Sequence, residues 1–383
     1  MTLPTRPPDP PRRARAGIAV VVGTRPEAIK LAPLLHALQR HPALDVAVLN
    51  SGQHLASVRH VLATFNIVAT QELPALHTLP NLLHVVRHLR QSLRSALTHA
   101  RGLRAVIVQG DTSTAYAGAR AAFDAHLPVA HVEAGLRTPD VRDPFPEEWF
   151  RREIVHYARW HFAPTRAAAA NLLAEGVSAD RVHVTGNTGI DSLRSLLEAQ
   201  HIRPAAARER LIVVTLHRRE NWDANAEVFC DALLDIADRY SDVRIVFPVH
   251  PNPRIATRIR RRLGAHMAVQ LIDPMEYAPF VALMARAALV ISDSGGVQEE
   301  APHLGTPLLV PRSNTERPEC LDTGFVELVP VHRPAIVAAA GRMLERPRPP
   351  ALPFDARAPF GAGDAAERIA ALLEHELVDP AGT

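Results

Sequence analysis

The sequence predicts an α/β protein with two doubly wound, Rossmann-like domains. Short, continuously apolar runs alternate with amphipathic helical patterns from Ile18 onward. These runs lack the polar alternation of half-exposed strands, which is typical of parallel strands covered by helices on both faces. In addition, 383 residues exceed what one ordinary hydrophobic core organises. We therefore expect two domains of this class, with an interdomain ligand cleft at the carboxyl ends of their strands.

The predicted elements follow one another along the chain as strand and then helix. Strands are expected at 18–22, 105–109, 128–132, 182–186, 211–216, 243–249, 288–293 and 307–311. The stretches 224–239 and 276–287 have the apolar spacing of amphipathic helices, and a final helix is expected at 364–378.

The domain boundary is expected near 185–191, where a strand ends in glycine and asparagine before a new helix begins. One domain is thus predicted over 17–187 and the other over 188–363. The Pro- and Arg-rich residues 1–16 have no apolar signal-peptide core, so a disordered tail is predicted.

Composition argues against several classes of function. The formal net charge is +3, and basic residues are interleaved with acids rather than collected in a block, so we expect no nucleic-acid binding. Since no apolar run approaches the roughly 18 residues of a membrane span, we also expect no membrane insertion. Cys230 and Cys320 show no ligand or disulfide spacing, which fits a reducing cytoplasm.

In the first half, polar residues that directly follow predicted strands are the candidates for a site. Arg25 and Lys30 lie at the start of a helix whose backbone amides can face an anion, and Lys30 is the only lysine among 43 Lys and Arg residues. Asp111 follows the second predicted strand, 105–109, where helix capping is an alternative explanation. Glu133 follows the third, and a carboxylate leaving a buried strand needs a partner or a task.

Further candidates lie on a loop and at later strand ends. Glu147 begins a helix after a Pro-interrupted loop, where it either stabilises the helix dipole or enters the site. His217 and His250 each follow a strand of the second half, and Arg218, Arg219 and Glu220 come directly after His217.

The stretch SDSGGVQEE (292–300) gives the sharpest local signal. Ser294, Gly295 and Gly296 connect a buried strand to a helix, so that backbone amides can approach phosphate oxygens. Glu299 and Glu300 lie about one turn inside the helix, where an acid can accept ribose hydroxyls, and Arg317 is placed to neutralise phosphate charge. A plain capping turn is the alternative, but the pattern favours a nucleoside diphosphate.

Taken together, the motifs resemble the non-hydrolysing UDP-N-acetylglucosamine 2-epimerases. They occur in that family's order over residues 18–330: GTRPEAIKLAPL, SGQH, QGDTSTAYAG, HVEAGLRT, PFPEEWFRR, FAPT, VTGNTGID, VTLHRREN, FPVHPNP, IDPMEYAPF, SDSGGVQEEAPHLG and NTERPE. The resemblance implies a glycosyltransferase-B-like fold whose C-terminal domain binds UDP and whose last helix returns to the N-terminal domain. It also implies a cytoplasmic homodimer with a UDP-sugar substrate and no metal or other cofactor.

The family's functional residues carry over largely to positions already selected above. Its catalytic residues match Asp111, Glu133, Glu147 and His217. Its UDP-sugar contacts match Arg25, Lys30, Phe280, Ser294, Gly295, Gly296, Glu300 and Arg317. Some members bind a second, activating substrate near residues that match Gln53, His54 and His250.

The implied reaction is reversible epimerisation at C2 of UDP-N-acetylglucosamine. UDP is eliminated to leave 2-acetamidoglucal, and re-addition gives UDP-N-acetylmannosamine. Three carboxylates supply the base and the acid, while Arg25, His217 and Arg317 suit the leaving diphosphate. The alternatives are a hydrolysing 2-epimerase, an epimerase for a related UDP-sugar, a retaining glycosyltransferase and a nucleotide-sugar-binding protein without turnover.

The sequence departs from the family pattern at several positions. Leu55 and Ala56 replace longer polar residues common after Gln-His, near the expected site of the activating substrate. Phe150 stands where the family often has Asn, so a different packing of the helix that carries Glu147 is expected. Met275 replaces a polar residue common near the uracil, a change that base contacts through backbone atoms would survive.

Overall fold

The computed structural model describes residues 15–76, 81–202, 210–218, 222 and 224–378. All but the last two residues of the predicted tail therefore lie outside the described residues, as do Arg219 and Glu220. Within the described ranges, no helix is long and apolar enough to cross a membrane.

The first sheet has seven strands in the order β3-β2-β1-β4-β5-β6-β7. Their bounds are Ala16–Val22 (β1), Leu44–Asn50 (β2), Gln71–Glu72 (β3), Leu103–Gln109 (β4), Val129–Val132 (β5), Ala158–Ala163 (β6) and Val182–Val184 (β7). The pairs from β3 to β6 are parallel. This order reverses direction at β1, as in doubly wound folds, so that β1 and β4 flank the switch point.

Helices connect these strands, and several begin at a clear cap. Their bounds are Arg25–Arg40 (α1), Leu55–Thr64 (α2), Leu82–His99 (α3), Ser113–Asp124 (α4), Glu147–Ile154 (α5), Arg166–Ala174 (α6) and Thr188–Gln200 (α7). The Thr112 and Thr165 hydroxyls accept hydrogen bonds from Ala115 N and Ala168 N, each at 3.0 Å, at the starts of α4 and α6.

The second sheet is a parallel sheet of six strands in the order β10-β9-β8-β11-β12-β13. Its strands are Arg210–Thr215 (β8), Val243–Pro248 (β9), Val269–Ile272 (β10), Leu289–Ser292 (β11), Leu308–Pro311 (β12) and Val326–Val329 (β13). The remaining helices are Ala224–Arg239 (α8), Pro253–Leu263 (α9), Tyr277–Arg286 (α10), Gly295–Glu300 (α11), Arg333–Glu345 (α12) and Ala365–Val378 (α13).

The chain divides into two compact units that are not simple halves of the sequence. The first takes in the residues up to Val132, Phe150–Phe162 and the residues from Ala366 onward. The second takes in Glu133–Trp149 and Ala163–Ala365. The predicted division between residues 187 and 188 stays a prediction.

The core of the first unit includes the end of the chain. Ile369 and Leu373 of α13 belong to the same buried apolar cluster as Ile18 and Val20 of β1. Polar contacts reinforce this packing, since His41 Nδ1 lies 2.7 Å from a carboxylate oxygen of Glu374. In the second unit, buried apolar clusters line the two faces of the six-stranded sheet.

Candidate active site

In the first unit, Asp111 extends from the end of β4. Gly110 before it has a φ of +70°, a conformation that favours glycine. The carbonyl of Gly110 is held by His131 Nε2 at 2.8 Å. The Asp111 carboxylate accepts a hydrogen bond from Arg151, and the two side chains are 33% and 2% exposed. A buried guanidinium thus holds one side of a carboxylate that is open to solvent on the other.

Arg25 and Lys30 lie on α1, at the first position of the helix and about one turn further on. Both are half-buried. The helix start is held by Glu27, whose carboxylate accepts the backbone N–H of Thr24 at 2.6 Å. The predicted cations therefore lie on a helix whose first turn is fixed from within.

The helix α5 carries both acids of the PFPEEWFRR motif, in different environments. Glu147 is half-buried, whereas Glu148 is fully buried and accepts the backbone N–H of Thr138 at 3.0 Å. Phe150 stacks on Tyr116, with ring centroids 5.1 Å apart and an interplanar angle of 22°. Phe150, one of the departures from the family pattern, thus packs in a buried aromatic stack.

In the second unit, Glu133 has an unusual backbone conformation at the end of β5. Its φ is +67°, which is uncommon for a residue with a Cβ atom and is associated with functional sites. The side chain is buried, and its Oε1 accepts a hydrogen bond from Arg317 Nη2 at 2.8 Å. We expected this carboxylate to have a partner or a task, and its partner in the structure is Arg317.

Arg317 makes hydrogen bonds to three carboxylates. Its Nε donates to Glu299, Nη1 donates to Glu316 at 2.6 Å, and Nη2 donates to Glu133. Burial alone would lower the pKa of Arg317, but the three carboxylates raise it well above its usual value. The sequence predicted a phosphate contact for Arg317; in this structure its donors are engaged by carboxylates.

Glu316 is a second buried centre of ion pairing. Besides Arg317, it accepts a hydrogen bond from Arg218 Nη2 at 2.6 Å and lies 3.0 Å from Arg312 Nη2. Arginines from three separate positions therefore meet at one carboxylate. This arrangement fixes the segment NTERPE against the loop that follows β8.

The loop after β8 is also held by Asp293, at the end of β11. Its carboxylate accepts the backbone N–H groups of His217 at 2.9 Å and Arg218 at 3.0 Å. The His217 side chain is exposed, and its ring lies 5.9 Å from that of His250 at an interplanar angle of 74°. Burial lowers the pKa of His250, and the nearby His217 lowers it further.

The glycine turn packs directly against Arg317. A Cβ atom at Gly295 would lie 2.5 Å from Arg317 Nη1, whereas one at Gly296 would meet no atom within 4 Å. The protein itself thus requires glycine only at the first of these positions. Ser294 precedes them as the residue before α11 and is half-buried.

Glu300, at the end of α11, is held by a tyrosine. Tyr277 donates its hydroxyl to Glu300 Oε1 at 2.9 Å. Burial and the Glu300 charge raise the pKa of Tyr277 well above its usual value, so it remains a donor. Phe280, one turn further along α10, is half-buried against the apolar core.

The structure thus groups some predicted residues and adds others. Glu133, Gly295 and Arg317 lie together, and His217 lies beside His250. Sequence reasoning missed four residues that hold them, Arg151, Asp293, Glu316 and Tyr277, and it considered Glu299 as a ribose contact, whereas in the structure Glu299 pairs with Arg317. Adjacent charges in FRRE, QEE and TERPE were the available signals, but the sequence does not show which member of each pair points inward.

Comparisons with known proteins agree with one another. A family model described as UDP-N-acetylglucosamine 2-epimerase matches residues 36–374. The chain is 40% identical over 373 residues to the UDP-N-acetylglucosamine 2-epimerase of Escherichia coli (strain K12), covering 94% of this chain and 99% of that protein.

Solved structures match over nearly the whole chain. One is the UDP-GlcNAc 2-epimerase from Neisseria meningitidis bound to UDP-GlcNAc, with a TM-score of 0.85, 36% identity and coverage of 93% of this chain and 99% of that one. Another is the Methanocaldococcus jannaschii UDP-GlcNAc 2-epimerase in complex with UDP-GlcNAc and UDP, with a TM-score of 0.81, 30% identity and coverage of 94% and 99%. Together with the two doubly wound sheets, these matches confirm the predicted fold class.

Proposed function

The chain belongs to the UDP-N-acetylglucosamine 2-epimerase family, and we propose that it interconverts UDP-N-acetylglucosamine and UDP-N-acetylmannosamine without net hydrolysis. The observation that carries this proposal is the buried pair of Glu133 and Arg317 at the end of β5. The backbone of Glu133 is in the left-handed conformation, and the Arg317 guanidinium fixes its carboxylate. A carboxylate fixed in this way is suited to proton transfer at one defined position.

The chemistry requires two proton-transfer groups and a stabilised leaving group. The C1–O bond to the diphosphate breaks and its electron pair leaves on UDP, while a carboxylate takes the C2 proton. A C1=C2 double bond forms, giving 2-acetamidoglucal and UDP. In the reverse step a UDP oxygen bonds to C1 and a proton is added to the opposite face of C2.

We assign these proton transfers to Asp111, Glu133 and Glu147. The support for Asp111 is its ion pair with Arg151, which fixes the carboxylate while leaving it accessible. Arg25 and His217 are assigned to the leaving diphosphate. The contacts of Arg317 support a role in orienting Glu133, because each of its donor groups already meets a carboxylate.

The remaining predicted contacts complete the proposed UDP-sugar site. Lys30 and the amides at Gly295 and Gly296 are assigned to substrate oxygens, Glu300 to the ribose and Phe280 to the base. Ser294 and His250 are kept as further substrate contacts. A cytoplasmic homodimer belongs to the same proposal, and light scattering of the purified protein tests the dimer.

The decisive experiment uses UDP-N-acetylglucosamine in deuterated water, followed by NMR. We expect deuterium at C2 in both UDP-sugars, with the bond to UDP intact. Release of UDP and free N-acetylmannosamine would instead identify a hydrolysing 2-epimerase. An unchanged spectrum would refute this substrate.

Variants of the carboxylates connect the result to the site. Asp111→Asn, Glu133→Gln and Glu147→Gln should each reduce deuterium incorporation by about a hundredfold or more, as expected for loss of a general acid or base. Glu327→Gln is a matched control, since Glu327 pairs only with the surface residue Arg342 among the contacts described for it. Equal losses in the control would show a general defect of the variant proteins.

A further inference from the structure

Glu27 is a buried carboxylate with three hydrogen-bond donors. It is 1% exposed. Its Oε2 accepts the backbone N–H groups of Gly23 at 2.9 Å and Thr24 at 2.6 Å, and its Oε1 accepts the Thr112 hydroxyl at 2.5 Å. Burial raises the pKa of Glu27 to about 7, while the hydrogen bonds act to lower it. The donors thus offset part of the cost of burying this group.

Helix capping explains only some of these contacts. In a capping box, a glutamate at the third helical position accepts the N–H of the residue before the helix, as Glu27 does with Thr24. That motif requires neither the additional N–H of Gly23 nor a hydroxyl 85 residues away in the sequence. Glu27 therefore has a structural connection beyond its own helix.

The connection continues through Thr112 into a second helix. The Thr112 hydroxyl donates to Glu27 and accepts the backbone N–H of Ala115 at 3.0 Å, at the start of α4. With both its donor and its acceptor function engaged, the hydroxyl is fixed in one orientation. One carboxylate thus fixes the first turns of α1 and α4, which follow the neighbouring strands β1 and β4.

These two first turns carry residues of the proposed site. Asp111 directly precedes Thr112, and Arg25 directly follows Thr24. The Thr112 hydroxyl ties the first turn of α4 to Glu27, so losing this contact would loosen the turn that carries Asp111. The position of the Asp111 carboxylate is consequently set on one side by Arg151 and on the other by Glu27 through Thr112.

We propose that Glu27 is a positioning residue that fixes the turn carrying Asp111 relative to the start of α1, where Arg25 lies, through Thr112 and the backbone amides of Gly23 and Thr24. This inference rests on the proposed function for its effect on turnover. Glu27 acts through other groups and does not itself contact the sugar. A carboxylate suits this position because all three partners donate to it in this structure.

Glu27→Gln is the most direct test, since glutamine keeps the shape but has only one accepting oxygen. To keep its oxygen on the two amides, glutamine must turn its NH2 group toward Thr112, so the hydroxyl can no longer donate to residue 27 and this hydrogen bond is reversed and weakened. We expect kcat to fall by about tenfold or more while KM changes by less than about threefold. Thr112→Val should have a similar effect. Thr112→Ser keeps the hydroxyl, so its turnover should stay near the parent value.

The double variant Glu27→Gln/Thr112→Val tests whether the two residues act as one unit. Its loss of kcat should be no greater than that of the more impaired single variant. Thr165→Val controls for loss of a buried threonine cap elsewhere, at α6. Losses that multiply in the double variant, or that appear only in KM, would overturn the proposal.

A measurement without substrate separates this inference from the proposed function. Hydrogen exchange of the peptide 110–116 should be about tenfold faster or more in Glu27→Gln and Thr112→Val than in the parent. It should be unchanged in Thr112→Ser and Thr165→Val. If the parent does not convert UDP-N-acetylglucosamine, the proposed function fails, while unchanged exchange in Glu27→Gln overturns the role of Glu27.

Discussion

The substitution Gly295→Ala tests the packing of Arg317 against the glycine turn. The new methyl group would lie 2.5 Å from Nη1 and 2.7 Å from Cζ of Arg317. This is about 1 Å closer than ordinary van der Waals contact. The guanidinium has little freedom to retreat, because it is buried and three carboxylates hold it.

The magnitude follows from two opposing contributions. Overpacking of a rigid site costs about 1–3 kcal/mol. Replacing glycine by alanine stabilises by about 0.4–1 kcal/mol where the backbone is compatible, because the unfolded chain loses freedom. We therefore expect Gly295→Ala to lower the free energy of unfolding by about 1–2 kcal/mol.

Urea unfolding of the parent and both glycine variants measures this difference. Gly296→Ala is the matched control for stability, since its Cβ would meet no atom within 4 Å. It should be as stable as the parent or more stable by up to about 1 kcal/mol. Gly295→Ala should also lose kcat/KM by about tenfold or more, because Glu133 moves with Arg317. Equal stability of the two variants would refute the reasoning.

Three other substitutions give distinct outcomes. Lys30→Arg should keep the parent's melting temperature but lose about tenfold in kcat, or about 1.4 kcal/mol of transition-state stabilisation, if a compact ammonium is required; steady-state kinetics equal to the parent's would contradict this. Phe150→Asn should lower the free energy of unfolding by about 3 kcal/mol or more, because it removes a buried ring stacked on Tyr116; an unchanged urea midpoint would exclude that packing role. Burial lowers the pKa of His303 from 6.5 to about 4, so the unfolded chain binds its proton first as the pH falls. Because of His303, the free energy of unfolding of the parent should fall by about 3 kcal/mol between pH 7.5 and pH 4, and His303→Phe should not show this fall; parallel pH profiles of the urea midpoint would contradict this.

Eight strands followed from the sequence because burial on both faces leaves a continuous apolar signal, whereas β2, β3, β6, β10 and β13 were not predicted. The run 211–216 became β8 at Arg210–Thr215, and the stretch 224–239 became α8 over the same residues. Strand ends were less well defined where the predicted range included residues that are not apolar, as with Thr185 and Gly186. The run 182–186 was longer than the observed β7, Val182–Val184.

The candidate site was predictable only as a set of strand ends. Asp111 and Glu133 follow β4 and β5 as the pattern indicated. Their partners were not predictable, since Arg151 and Arg317 lie 40 and 184 residues away in the sequence. The positive φ of Glu133 also leaves no trace in the sequence, because the residue is not a glycine. Apolar periodicity reports where a strand ends, and only the folded chain determines which charges meet there.

The contribution of α13 to the first core affects how the protein folds during synthesis. Ala366, Ile369, Ala370 and Leu373 complete an apolar cluster that begins with Ala16. At roughly 5–20 residues per second, the ribosome needs on the order of ten to fifty seconds to make the chain between Val132 and Ala366. The first unit thus emerges early but waits with an incomplete core, while the residues of the second unit up to Ala365 are already available to fold. Until α13 has been synthesised, the nascent chain should consequently expose to chaperones the apolar surface that α13 covers in the folded protein.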